Sequence, residues 1–419
     1  MDSSLTKPYH ELDPDLASML KREAERQQNS IELIASENHT SKAVMMLQGS
    51  HLTNKYAEGY PDRRYYGGCE YVDQVESLAI DRACQLFGAA YANVQPHSGS
   101  QANQAVFLAL LNRGDRILSL DLKDGGHLTH GSRVNWSGKD YDVMHYGVNQ
   151  QGQLDYDVIR QKAITHQPKL IIAGYSAYTG SIDWQMFREI ADEVGAFLLA
   201  DMAHIAGMVA AGVMESPVSY ADVVTCTTHK TLRGPRGGLI LSRRSDLAKK
   251  LNSGIFPGTQ GGPLMHVIAA KAMAFHLAAL PSFKRYQQAV LDNSKTLYQS
   301  FMDLNVKLSG GMTHNHMVIL DLKDKPLSGK YYEIQLDKAN IATNKNMIPN
   351  DPRSPFETSG LRLGTAAVTS RGATKDCMQL IARWISMIID HPNDLKVIQK
   401  VKQEVLTWCQ QHPMDLGVH

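Results

Sequence analysis

Between about residues 71 and 290, short β-branched or leucine-rich runs alternate with amphipathic stretches of helical period. The runs at 92–95, 116–120, 142–146, 170–174, 196–200 and 222–225 have the length and composition of buried strands. Helical patterns at 75–86, 101–111 and 184–194 lie between several of them. Strands alternating with helices predict an α/β fold: a mostly parallel sheet covered by helices on both faces. Upstream, Asp13-Pro14 opens a charged helix expected over 13–28. Downstream, a helical pattern near 263–290 leads to a strand at 317–321, a helix at 329–339 and terminal helices at 376–389 and 394–411. The expected organisation is an N-terminal arm and helix (1–30), a large domain (31–280) and a smaller α+β domain (281–419).

Composition narrows the function classes. Across 419 residues, 43 Lys and Arg balance 42 Asp and Glu, so bulk charge draws the chain to neither nucleic acid nor a membrane surface. The five cysteines are odd in number and form no CxxC, which argues against a disulfide framework and a structural zinc site. The first 15 residues are polar, and no run of 18 apolar residues occurs. The expectation is a cytoplasmic protein without a secretory leader or membrane span.

The candidate chemistry gathers where strands end. Val223-Val224-Thr225-Cys226-Thr227 passes through Thr228-His229-Lys230 into a loop punctuated by Gly and Pro. A lysine beyond a buried strand sits where α/β folds collect ligands. Partial burial and the cationic neighbours His229, Arg233 and Arg236 are expected to make it nucleophilic, the setting for a Schiff base with an aldehyde cofactor. Ser98-Gly99-Ser100, between a strand and a helix, offers free amides and hydroxyls to an anion. Asp201 follows another strand, where a carboxylate could keep a pyridine nitrogen protonated. Each residue alone has an ordinary structural reading, as a cap or a loop residue. A long Gly- and Tyr-rich loop, 52–70, surrounds Glu58 with tyrosines, whose rings are expected to exclude solvent from it.

These stretches closely resemble the serine hydroxymethyltransferase family, pyridoxal-phosphate enzymes of the aspartate-aminotransferase fold type. The matching motifs include Leu33-Ile34-Ala35-Ser36-Glu37-Asn38, Asp201-Met202-Ala203-His204 and the run through Lys230. They extend from about residue 30 to 375. The resemblance implies hydroxymethyl transfer between serine and tetrahydrofolate, with pyridoxal 5'-phosphate held as an aldimine on Lys230. It gives the cofactor phosphate to Ser98, Gly99 and Ser100, joined by Tyr56 and Gly262 of a partner subunit in a homodimer, with a tetramer also open. It places Asp201 at the pyridine nitrogen, His127 on the ring face, and Ser176 and His204 at the ring oxygen. It makes Glu58 the acid–base carboxyl with Tyr66 beside it, and gives His229 influence over substrate choice. Arg362 and Ser36 would take the substrate carboxylate. Leu122, Gly126, His127, Leu128, Asn346, Ser354, Pro355 and Phe356 would take the folate. Gly180, Ala366 and Arg133 depart from the family pattern.

Three other readings compete. A paralogue could act on another β-hydroxy amino acid, by threonine cleavage or α-methylserine transfer. A metal-dependent hydrolase could use His127, His130, Asp201, His204 and His229. A non-catalytic binding protein would have lost Asp201, Lys230 or Arg362, and all three are present.

Overall fold

A computed structural model describes residues 7–414. After the helix Pro14–Gln28, whose first turn is capped by Asp13, come β1 (Ile31–Glu32) and a small hairpin of β2 (Gly59–Tyr60) and β3 (Arg63–Arg64). A seven-stranded sheet follows, built from β4 (Tyr91–Asn93), β5 (Arg116–Leu120), β6 (Asp142–Tyr146), β7 (Leu170–Gly174), β8 (Phe197–Asp201), β9 (Val223–Thr227) and β10 (Gly238–Ser242). Its order is β4-β10-β9-β8-β7-β5-β6. The pairs from β9 through β8, β7 and β5 to β6 are parallel, and β10 is antiparallel to both its neighbours.

Strand alternation explains why both faces are buried. Ile171, Ala173, Leu198 and Ala200 point into one hydrophobic cluster, whereas Leu170, Ile172 and Leu199 point into another on the opposite face. A strand apolar at every position can satisfy both layers at once. The run at 238–242 follows directly on the Gly/Pro loop, whose punctuation hides its strand character in the sequence. Structurally it forms β10, which turns the chain back and inserts it between β9 and β4.

The helical pattern near 263–290 resolves into two helices, Met265–Ala278 and Pro281–Asp303, bent by 81°. Pro281 occupies the first turn of the second helix, where its missing N–H costs nothing, and it cannot continue the first. Phe283, Val290 and Leu291 of the second helix belong to the large core, and Leu297 and Phe301 to the C-terminal core. The chain thus changes core inside one helix. The C-terminal layer contains β11 (Met317–Asp321), β12 (Ile341–Ala342), β13 (Asn344–Asn346) and β14 (Gly360–Gly364). Of these, β11, β14 and β13 form an antiparallel sheet, and β12 pairs with β1. Among the described residues no single helix is long and apolar enough to cross a membrane.

One buried ion cluster fixes the Gly- and Tyr-rich loop. Arg64 donates to Asp73 at 2.8 Å and to Glu76 at 2.6 Å on the helix Glu70–Phe87, and to the carbonyls of Ala57 and Gly59. The side chains of Arg64 and Glu76 are 3% and 1% exposed, so truncating the arginine strands a buried carboxylate. Arg64→Ala is expected to lower unfolding stability by about 3–5 kcal/mol, read from urea denaturation, with Glu76→Gln costing less.

Candidate functional site

Lys230 stands three residues beyond β9 in a loop clasped by its own backbone. Thr228 N donates to Gly237 O, Gly234 N to Thr228 O, and the Thr228 hydroxyl to Pro235 O. The Lys230 carbonyl accepts from Asn38 Nδ2 at 2.9 Å, which ties the 33–38 segment to the loop. The side chain is buried, and burial pushes its pKa down to about 8. The Asp201 charge opposes this shift, while Arg362 and Arg236 reinforce it. Of the three expected cationic neighbours, Arg236 acts on the lysine, whereas His229 and Arg233 do not act as expected. Burial pushes His229 down to about 3, so it is neutral beside the lysine. Arg233 turns away, lying over the Tyr286 ring and donating to His39 O.

Asp201 closes β8, in register with Thr225 of β9. Its Oδ2 accepts from Asn103 Nδ2 at 2.9 Å and pairs with His130 Nε2 at 3.0 Å, and Oδ1 accepts from Ala203 N. Burial alone would raise its pKa, but the His130 hydrogen bond and charge, with help from His127 and Asn103, hold it far below the usual carboxylate range. Asn103 also donates to Thr129 at 2.8 Å and accepts from Thr225 at 2.6 Å. Thr129 in turn lies 2.7 Å from His127 Nδ1, and burial leaves His127 with a pKa of about 4. Asn103, Thr129 and Thr225 were not singled out from sequence, and His130 entered only as a possible metal ligand. The sequence indicates only that Asp201 ends a strand; the register of β8 with β9 sets it beside Thr225.

The anion loop lies against the same strand end. Ser98 caps the helix Gly99–Leu110 through Gln101 N, and among the described residues the amides of Gly99 and Ser100 have no acceptor. A Cβ on Gly99 would sit 2.8 Å from the Thr227 methyl, so only glycine lets loop and strand approach this closely. Opposite, Arg362 in the middle of β14 donates to Ser176 O at 2.6 Å and to Asn344 Oδ1 at 3.0 Å. Burial pushes Arg362 down to about 10, leaving it a cation. Ser176 N donates to Gly125 O, which joins this corner to the loop carrying His127. His204 stacks on His316 at 5.4 Å, and His316 Nε2 lies 3.1 Å from Ala35 O. His316 was not anticipated. Lys230, Asp201, His127, His204, Ser176 and Arg362 therefore converge. Ser36 shares a cavity of about 410 Å³ with His229 and Arg236.

Comparison with known proteins identifies the family. A family model described as serine hydroxymethyltransferase matches residues 9–385. The chain belongs to the serine hydroxymethyltransferase family. It is 57% identical over 407 residues to a serine hydroxymethyltransferase of Pseudoalteromonas atlantica (strain T6c / ATCC BAA-1087), covering 96% of this chain and 97% of the relative. It is 58% identical over 405 residues to one of Xanthomonas campestris pv. campestris (strain B100), with 96% and 97% covered.

The remaining residues assigned through the serine hydroxymethyltransferase pattern stand apart. Tyr56 donates to Glu58 at 3.0 Å, its ring packs against Gly262 and meets Tyr66 edge-on at 5.1 Å. No hydrogen bond joins this group to the Lys230 cluster among the described residues. Tyr56 is 53% exposed and Tyr66 50%, so within one chain both rings are themselves half open to solvent, while Glu58 between them is half-buried. Leu122, Leu128 and Phe356 are apolar yet exposed, Ser354 and Pro355 are exposed beside Phe356, and Asn346 ends β13 opposite Gly360. Gly126 is buried where a Cβ would run into the Leu120 carbonyl. Gly180 lies against the Tyr178 ring, Ala366 is buried at a helix start, and Arg133 is exposed. Among the described residues no three His, Cys, Asp or Glu side chains converge as a metal site.

The pocket residues fit a pyridoxal phosphate. The free amides suit its phosphate, the anionic Asp201 its ring nitrogen, and the buried amine its aldehyde.

Two expectations follow from these pKa shifts and contacts. The folded chain holds Lys230 at about 8 against 10.5 for the free side chain, so between those values the unfolded chain binds more protons. Stability should therefore rise with pH across that window, by about 3 kcal/mol at most. The same rise should be missing from Lys230→Met when denaturation midpoints of the cofactor-free chains are compared. Asn103→Ala should cost about 1–3 kcal/mol, because it leaves the Thr225 hydroxyl buried without its acceptor. Thermal and urea unfolding read this directly.

Proposed function

We propose that this chain reversibly transfers a hydroxymethyl group between serine and tetrahydrofolate, giving glycine and 5,10-methylenetetrahydrofolate, with pyridoxal 5'-phosphate held on Lys230. One observation carries the reading: in a chain of this family, a buried lysine of lowered proton affinity faces a buried carboxylate and a buried arginine. When bound, the cofactor supplies an electron sink for negative charge at the substrate's Cα.

The residues divide the remaining work. Asp201 stays ionised, held by His130 and Asn103, and so presents a fixed negative charge to a ring nitrogen. His127 is neutral and presents an uncharged ring face. The amides and hydroxyls at Ser98, Gly99 and Ser100 would hold the phosphate at a helix N-terminus. Ser176 and His204 would border the ring oxygen, and His229 borders the cavity that contains Ser36. Arg362 offers a planar fork to the amino acid's carboxylate, aided by Ser36. Glu58, with Tyr66 near it, moves the proton that accompanies one-carbon transfer. Leu122, Leu128 and Phe356 supply exposed apolar surface for a pterin ring, alongside Gly126, Asn346, Ser354 and Pro355.

The active unit is a homodimer in this reading. Tyr56, Glu58, Tyr66 and Gly262 form an exposed aromatic and carboxylate cluster detached from their own Lys230. A second copy would bring that cluster to the anion loop and bury its rings. The proposed location is the cytoplasm.

Incubation with pyridoxal phosphate followed by borohydride reduction should attach the cofactor to Lys230, identified by peptide mass spectrometry. Lys230→Ala should show no such label and no steady turnover of serine with tetrahydrofolate; near-normal turnover in that variant refutes the assignment. Arg362→Lys should raise the KM for serine by about 10–100-fold, because a point charge replaces a bidentate fork. Glu58→Gln should lower kcat by about 10²-fold or more with little change in serine KM.

A further inference from the structure

A second buried lysine has no part in the chemistry described so far. Lys271 lies on the helix Met265–Ala278, is 1% exposed, and makes no ion pair among the described residues. Its Nζ donates to Val94 O at 2.6 Å, Pro96 O at 2.9 Å and Gly238 O at 2.9 Å. Three carbonyl acceptors require three N–H donors, so this side chain is an ammonium. A neutral amine would have two donors and would turn its lone pair on a carbonyl oxygen. Burial opposes that charge and pushes the pKa down to about 7, with Cys226 and Glu76 acting in the opposite direction. The geometry decides for the cation, and a buried cation without a counter-charge is costly.

The three carbonyls are not scattered. Val94 and Pro96 belong to the segment that runs directly into Ser98-Gly99-Ser100, and Gly238 opens β10 just past the Lys230 loop. Gly238 N donates to Pro96 O, so the same oxygen joins both segments. Packing is close around the ammonium: a Cβ on Gly237 would lie 2.5 Å from Lys271 Cε and 3.0 Å from Nζ. His97, in the same turn, has a buried Nε2 without a partner, and burial, reinforced by the Lys271 charge, lowers its pKa.

We propose that Lys271 is a positioning residue for the anion loop: it pulls the loop's carbonyls inward so that its amides face a phosphate ester, and it sets a buried positive charge behind them. The missing counter-charge of Lys271 is then the phosphate, felt through one layer of backbone. This role rests on the assignment of Ser98, Gly99 and Ser100 to the cofactor phosphate.

The test compares pyridoxal phosphate with pyridoxal, which lacks only the phosphate, as ligands of the cofactor-free full-length chain. Wild type should bind the phosphorylated form far more tightly. Lys271→Met should reduce that ratio of affinities tenfold or more, with pyridoxal affinity little changed. Lys271→Gln, which keeps two N–H donors without the charge, should fall between. Gly237→Ala displaces the ammonium without removing it, and should lower the ratio as well if the Lys271 variants do not fold. A wild-type ratio in the folded variants overturns the role of Lys271. A wild-type chain that binds neither compound overturns the cofactor assignment itself, and with it this inference.

Discussion

The site depends on withdrawing charged groups from water together. Asp201, Lys230 and Arg362 are each buried, and each would be expensive to desolvate alone. Asp201 is the anchor because its ionised form is secured by fixed donors, Asn103, His130 and the Ala203 amide. Its field opposes the desolvation of Lys230, whose proton affinity then settles where both charge states are accessible near neutral pH. Remove the donors around Asp201 and the logic of the neighbouring cation goes with them.

Sheet topology delivers these groups to one place. Asp201 and Lys230 come from the adjacent parallel strands β8 and β9, whose ends lie on one edge by construction. The antiparallel β10 returns from the lysine loop to meet β4, which brings the anion loop alongside. Arg362 arrives from the C-terminal sheet and bonds to the Ser176 carbonyl, one of several contacts between the two layers, with the His204–His316 stack and the Asn315 bonds to Tyr175 and Tyr178 among the others.

Much of this was legible in the sequence, for identifiable reasons. The strands at 116–120, 142–146 and 170–174 are short runs rich in branched and aromatic side chains, and they occupy those spans in the structure. The long motifs around Asp201 and Lys230 carried the family. What escaped was the part that depends on three-dimensional neighbours. Asn103 sits on a helix and reads there as an ordinary polar residue, and only folding sets it between Asp201 and Thr225. His229 is adjacent to Lys230 and reads in the sequence as a cationic neighbour, but burial neutralises it. Strand β10 begins with glycine after a Gly/Pro loop, and that punctuation masked four residues of strand character. The tyrosines near Glu58 looked like a solvent-excluding wall, and in one chain they are half open to solvent.

The helix Pro281–Asp303 has a mechanical consequence. Its first half is packed in the large core and its second half in the C-terminal core, with no break between them. A continuous hydrogen-bonded rod cannot fold in one half and melt in the other without fraying at its centre. The strand β1, paired to β12 at the far end of the chain, adds a second tie. The two cores are thereby coupled into one cooperative unit, in which loss of either exposes the helix that roofs the other.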